Sequence, residues 1–378
     1  MKPIYLDNNA TTKPLGAVIE RVAEVSRDTF ANPGSPHLYG RGARKVLEES
    51  RESMASILGA SPREIIFTSG GTEASNMAIR GFTQQTSPKA IAFSEGEHSA
   101  TLQPCLHLEQ QGWKLYRLAI DSSGRLCEEQ FDLLPWNDLR LVTILFAHNE
   151  TGVIQNIKPL AERCLQHSVP LHLDAVQAIG KLPIDFHSLN ATSLAISAHK
   201  FHGPRGVGAL LLRKDVNLSP LMRGGHQEQG YRPGTEPVAL IAGMATALEM
   251  WNNEQKKRTQ QLTTLRNQLQ AGLEKNCSIA VVNGSQEHRL PNTLNIAFPP
   301  VSGEALLVAF DLEGIACSLG SACASGSAEP SPVLIAMGCS PEIIASSVRF
   351  SVSINNTTEE IDIAIEKITN VVNRLRRG

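Results

Sequence analysis

The chain lacks any apolar run near the roughly 18 residues that a membrane-crossing helix needs, which excludes a helical span. It also lacks a surplus of either charge: 35 Lys and Arg stand against 37 Asp and Glu, a formal net charge of −2. That balance leaves no global electrostatic case for direct binding to nucleic acid or to an anionic membrane. Seven cysteines are present, at positions 105, 127, 164, 277, 317, 323 and 339, but they are scattered, odd in number and form no C-x-x-C pair. This excludes a disulfide framework and a structural zinc site, and most of these residues are expected to be small buried apolar side chains. The opening residues, Met1 to Asp7, carry neither the apolar run nor the small-residue cleavage site of a secretory signal, so a cytoplasmic location is expected. No internal repeat, low-complexity tract or obvious flexible linker interrupts the chain.

What is present reads as a globular α/β protein. Hydrophobic residues make up 42% of the 378 positions and charged residues 19%, an ordinary balance for a substantial core, and the length suggests two domains. Short apolar runs at 65–68, 141–146, 170–173, 193–197 and 207–212 alternate with helical patterns such as 72–81. Runs without strict alternation suit strands covered on both faces, so a mostly parallel, mixed sheet flanked by helices is expected. Its ligand site should lie beyond the carboxyl ends of the strands. After Pro237 a helical stretch spans 238–275, and shorter elements follow at 293–298, 303–312, 347–352 and 358–376. We expect a large domain over 14–255 and a smaller α+β domain made of 1–13 and 256–378.

Four constellations could carry chemistry. Thr68-Ser69-Gly70-Gly71-Thr72-Glu73 lies where a strand becomes a helix, so its free N–H groups and the Thr72 hydroxyl suit an anion. The same residues are also good turn-and-cap chemistry. In Leu171 to Gln177, alternation puts His172 and Asp174 on one side of a strand end. Asp174 could pair with a protonated heterocyclic nitrogen or simply cap the next helix. Lys200 follows an apolar strand inside a turn rich in Ser, His and Gly. Partial burial would lower its proton affinity and make it an amine nucleophile suited to a Schiff base. Cys323 is surrounded by small residues from Ser318 to Ser327, which pack poorly and should leave an accessible thiol. Cys317 ends an apolar run and Cys339 a helix, so structural roles are expected for both.

With these segments assembled, the chain closely resembles the cysteine desulfurases, pyridoxal-phosphate enzymes of the aminotransferase-like fold type I. The resemblance covers nearly the whole chain, from Tyr5-Leu6-Asp7-Asn8-Asn9-Ala10-Thr11-Thr12 through Asn32-Pro33-Gly34-Ser35-Pro36-His37 to Arg349-Phe350-Ser351. It implies roles residue by residue. Lys200 corresponds to the cofactor lysine and general base, and Asp174 to the carboxylate beside the pyridine nitrogen. His98 corresponds to the imidazole on the ring face and to an acid or base. Asn149 and Gln177 correspond to the contacts of the ring's phenolic oxygen. Thr72, Ser197 and His199, with the Gly71 backbone, correspond to phosphate ligands. Thr235 corresponds to a phosphate ligand from a second subunit, which implies a homodimer. Arg349 corresponds to the clamp on the carboxylate of L-cysteine, with Asn9 assisting.

Cys323 corresponds to the residue that takes the sulfur as a persulfide. The resemblance is to the branch with a long mobile cysteine loop, which commonly serves iron–sulfur cluster assembly. It offers Cys323 also as a transient ligand of a cluster during transfer. The implied partner is a sulfur-acceptor protein, either an iron–sulfur scaffold or a transfer-RNA thiolation protein. Selenocysteine lyase, aminotransferase and non-catalytic scaffold are the alternatives. Departures from the family pattern fall at His148 (usually Asn), at His226 and Gln229 in the loop before Thr235, and at Ser353-Ile354 (commonly Gly-Arg).

Overall fold

The computed structural model describes residues 3–84, 87–319 and 330–377. Strand β1 (Ile4–Tyr5) is followed by helices α1 (Gly16–Asp28) and α2 (Leu38–Leu58). Then come β2 (Ile65–Thr68), α3 (Gly71–Thr83), β3 (Ala90–Ser94), α4 (Ser99–Gln110), β4 (Lys114–Leu118) and β5 (Leu139–Leu145). The chain continues through α5 (Lys158–Gln166), β6 (Leu171–Asp174), β7 (Ser193–Ser197), β8 (Gly208–Leu212) and the helices α6 (Val238–Asn253) and α7 (Gln255–Asn276). Last are β9 (Val281–Val282), β10 (Thr293–Ala297), α8 (Gly303–Leu312), β11 (Ile315–Ala316), α9 (Pro332–Ala336), α10 (Pro341–Ala345), β12 (Ser347–Ser351) and α11 (Thr358–Arg377).

A seven-stranded sheet has the order β2-β8-β7-β6-β5-β3-β4. Six strands run parallel, and β8 opposes both of its neighbours. Every residue of β2, β3, β6, β7 and β8 is buried, as expected for strands covered on both faces. The mostly parallel, mixed sheet inferred from the apolar runs is therefore present. Strands β3 and β4 were absent from those expectations. Gly208 lets β8 close on the turn after β2: a Cβ there would lie 2.4 Å from the Ile196 carbonyl oxygen and 2.7 Å from Gly70 Cα.

A second apolar core is built from α7, α8, α11 and the antiparallel strands β9, β10 and β12. Helix α11 buries Ile361, Ala364, Ile365, Ile368, Val371 and Val372, the three-and-four spacing of one helical face. Ile4 and Leu6 join this core, β1 pairs in parallel with β11, and Asp7 bridges to Ser351. The stretch expected as one long helix is two: Glu254, at φ −125° and ψ 16°, separates α6 from α7. No described helix is long and apolar enough to cross a membrane.

Candidate active site

Five parallel strands deliver their carboxyl ends to one pocket of about 120 Å³. Beyond β2 lie Gly71 and Thr72, beyond β3 His98, beyond β5 Asn149, and beyond β6 Gln177, with Asp174 as the last residue of β6. Beyond β7 lie His199 and Lys200, after Ser197 at its end. Asn9 from the amino-terminal segment and Arg349 from β12 complete the wall. Eleven of the residues singled out in the sequence thus share one cavity. Two do not: Thr235 is exposed and lines no part of this pocket, and Cys323 lies outside the described residues.

Local physics explains each placement. Helix α3 begins at Gly71, so the first N–H groups of the helix have no partner in a preceding turn and meet the pocket. A Cβ at Gly71 would come within 2.4 Å of Val176 Cγ2, so only glycine fits between the helix start and this wall. Glu73 accepts from Ser69 N at 2.7 Å and pairs with Arg232 at 2.9 Å, fastening the turn. His98 caps α4 by accepting from Ala100 N through Nδ1 at 3.1 Å, which leaves Nε2 as the nitrogen that carries the proton. Asp174 accepts from Val176 N at 3.0 Å, so it caps the next turn and lines the pocket at once. His172, two residues earlier on the same strand, instead bonds Ser193 Oγ at 2.9 Å and stays out of the pocket.

The site's charges are unusually confined. Asp174 is buried and enters no ion pair among the described residues, and burial pushes its carboxyl above the usual range despite His98 and Lys200 nearby. The Lys200 amine donates to the carbonyl oxygens of Asn9 at 2.6 Å and Ala10 at 2.9 Å. Burial, with Lys200 and Arg205 close by, lowers His199 to about 4, so its ring is neutral near pH 7. Arg349 is 2% exposed and held by Asp7 at 2.6 Å and the Asn149 carbonyl oxygen at 3.1 Å, while its Nε is buried without a partner. The expected substrate clamp is therefore oriented by Asp7 and retains an unused donor.

Pyridoxal phosphate fits these residues. The helix start and Ser197 offer donors to a phosphate, Asp174 offers an unpaired carboxylate to a ring N–H, and Lys200 offers an amine. Sequence reasoning missed three participants. Asp7 orients Arg349, as above. Glu97, next to His98, accepts from Ser94 and from Leu145 N, while its Oε2 has no partner; burial pushes its carboxyl up to about 8. Lys181 is buried against Asn9 and Gln177. Adjacency to His98 was the one available signal for Glu97.

The departures have structural counterparts. His148, neutral because burial lowers it to about 4, donates from Nε2 to the Gly96 carbonyl oxygen at 2.7 Å and accepts from Glu150 N. It thereby holds the turn that carries His98. Gln229 sits at φ 58° and donates to the Arg63 carbonyl oxygen at 2.9 Å. Among the described cysteines, Cys105, Cys164 and Cys277 are buried, and Cys317 and Cys339 pack against the cores. Burial pushes the thiols of Cys105, Cys164 and Cys317 up to about 12, far from thiolate chemistry. Both flanks of the cysteine segment are anchored near the pocket. Ser318 pairs through its backbone with Arg349, and Ser331 Oγ donates to Glu150 at 2.7 Å. No metal-holding group of His, Cys, Asp and Glu occurs among the described residues.

The model of the aminotransferase class-V family matches residues 4–363. A cysteine desulfurase IscS from Dictyoglomus turgidum is 40% identical over 377 residues, which cover 99% of this chain and 96% of that protein. A cysteine desulfurase NifS from Azotobacter vinelandii is 39% identical over 378 residues, 100% of this chain and 94% of that protein. Among solved structures, a NifS-like protein superposes with a TM-score of 0.93 at 35% identity, over 99% of this chain and all of the other. A NifS-like protein from Rickettsia africae gives 0.88 at 31%, over 98% and 99%.

Proposed function

Because the chain belongs to the cysteine desulfurases of the aminotransferase class-V family, which depend on pyridoxal phosphate, we propose that it converts L-cysteine to L-alanine and passes the sulfur on through Cys323. The observation that carries this reading is the shared pocket of the Lys200 amine and the unpaired Asp174 carboxylate. Pyridoxal phosphate supplies an electron-withdrawing ring that spreads the electron pair left at the substrate α-carbon.

The residues around it do the rest. Lys200 would anchor the group through its amine, and its free amine would remove and return the substrate α-proton. Asp174 keeps a proton on the ring nitrogen. Gly71, Thr72, Ser197 and His199 hold the phosphate, and Asn149 and Gln177 hold the ring oxygen. Arg349, steadied by Asp7 and helped by Asn9, binds the substrate carboxylate. His98 moves a proton for the thiol steps. The Cys323 thiolate attacks the substrate sulfur, an S–S bond forms, and the C–S bond breaks with its electrons left on carbon. That carbon takes a proton, alanine departs, and Cys323 keeps a persulfide. Four residues lie between Ser318 and Cys323, so the chain reaches roughly 17 Å at most from Ser318, which pairs with Arg349.

The assembly is a homodimer in which Thr235 completes the partner's phosphate site. This is supported by the exposure of Thr235 away from its own pocket, and by the exposed apolar residues Phe30, Leu38 and Tyr39. The sulfur acceptor is an iron–sulfur scaffold or a transfer-RNA thiolation protein, and Cys323 ligates a cluster transiently in the first case. Six described unpaired cysteines suit the reducing cytoplasm. The chain divides into 14–255 and 1–13 with 256–378, a reading supported by the two cores and the break at Glu254.

Incubation with L-cysteine tests the proposal. Alanine should appear in equal amount to released sulfur. C323S should keep the cofactor's visible absorption and lose sulfide release; unchanged release would remove Cys323 from its role.

A further inference from the structure

A second lysine lies behind Lys200. Lys181 is 4% exposed and enters no salt bridge among the described residues. Burying an amine without a carboxylate is unfavourable, so its hydrogen bonds must account for its place. Its Nζ donates to Gln177 Oε1 at 2.6 Å and to Asn9 Oδ1 at 3.3 Å. It also lines, with Lys200, a second cavity of about 20 Å³, room for one water.

These bonds dictate the sense of two amides. Lys181 Nζ is the donor in both bonds, and burial, with Lys200 and Arg349 nearby, lowers its pKa well below the ordinary lysine value. Gln177 must therefore turn Oε1 to Lys181, which leaves Nε2 as a donor, and Nε2 donates to the Asn9 carbonyl oxygen at 2.9 Å. A reversed amide would set N–H against N–H. Asn9 Oδ1 likewise accepts from Lys181 and from Asn292 Nδ2 at 3.0 Å, which leaves Asn9 Nδ2 donating to the Asn149 carbonyl oxygen. The Asn9 carbonyl oxygen that receives Gln177 also receives Lys200 Nζ.

We infer that Lys181 is a positioning residue: it fixes the donor sense of Gln177 and the seat of Asn9, and so the hydrogen-bonding frame of the Lys200 amine. The inference rests on the reading of Lys200 as the cofactor lysine. With Lys181 absent, Gln177 Oε1 has lost its donor and the Asn9 that anchors Nε2 has lost one of its own, so the Nε2 donor is no longer held firmly toward the pocket. The cofactor-bound nitrogen of Lys200 then holds its proton to higher pH, because the negative ring oxygen has lost a firmly placed donor.

The test is the pH midpoint of the visible cofactor band in the holoenzyme, read beside its melting temperature. K181M should raise the midpoint by about half a pH unit or more. Q177L should do the same, and the K181M/Q177L double variant should move it no further than Q177L alone. If K181M does not fold, K181A, which offers Gln177 no donor, carries the same expectation. A midpoint equal to the parent's with a lowered melting temperature would make Lys181 merely structural and overturn the inference; so would fully additive shifts. Failure of the underlying reading looks different: K200A would then form the same borohydride-reducible adduct as the parent.

Discussion

Single side chains in this molecule are controlled mainly by where solvent is kept out. Glu97 is the clearest case. Its folded carboxyl binds a proton up to about 8, whereas in the unfolded chain it ionises near the ordinary value of 4.5. Raising pH from 4.5 to 8 therefore favours the unfolded state at this residue, by about 1.4 kcal/mol per unit. E97Q mimics the neutral form and removes that slope. Its melting temperature relative to the parent should rise steadily between pH 5 and pH 8, as scanning calorimetry would report; a constant difference would show that Glu97 is ionised when folded. The neutral histidines act in the opposite direction. His148 and His199 are lowered to about 4 and His172 to about 3, so each favours unfolding as pH falls from 6.5 toward those values. H148N should flatten the acid limb of the melting-temperature profile, and it leaves the Gly96 carbonyl oxygen a donor only if the shorter amide reaches it. Most catalytic candidates were legible because each stands in a motif. Lys181 was not, since nothing in Gly180-Lys181-Leu182 distinguishes a buried amine from a solvated one.

At the scale of elements, buried strands were the readable ones. Runs such as Ile65 to Thr68 and Ser193 to Ser197 match their strands residue for residue because both faces are apolar. Strand β3, Ala-Ile-Ala-Phe-Ser, was missed because alanine favours helices as readily, and β4 because Lys114 and Arg117 face solvent on an edge. The break at Glu254 carries no Gly or Pro; weak helix formers Asn252 and Asn253 precede it, and the helices on its two sides pack into different cores. The start of α3 yields an element-level prediction. G71A should lose at least about tenfold in pyridoxal phosphate affinity, because the new methyl meets Val176 at 2.4 Å and must push the helix from the phosphate. G71A/V176A should recover most of it in a fluorescence titration. Failure of that rescue would mean that a side chain on Gly71 acts otherwise than through this wall.

The whole molecule is more than its own pocket. If Thr235 serves the partner subunit, the exposed pair Phe30 and Tyr39, whose rings lie 5.8 Å apart, belongs to a surface that solvent rarely meets. F30K/Y39K should sediment as a monomer and lose cofactor affinity together. A monomer with unchanged affinity would remove Thr235 from the site.

The amino-terminal strand also sets a timetable. Asp7 orients Arg349 and the backbone of residues 9 and 10 receives Lys200, although 342 positions separate Asp7 from Arg349. A chain still emerging from the ribosome has its first residues waiting for a strand not yet translated. A prematurely terminated fragment ending before β12 would lack Arg349, and with it the substrate clamp proposed above.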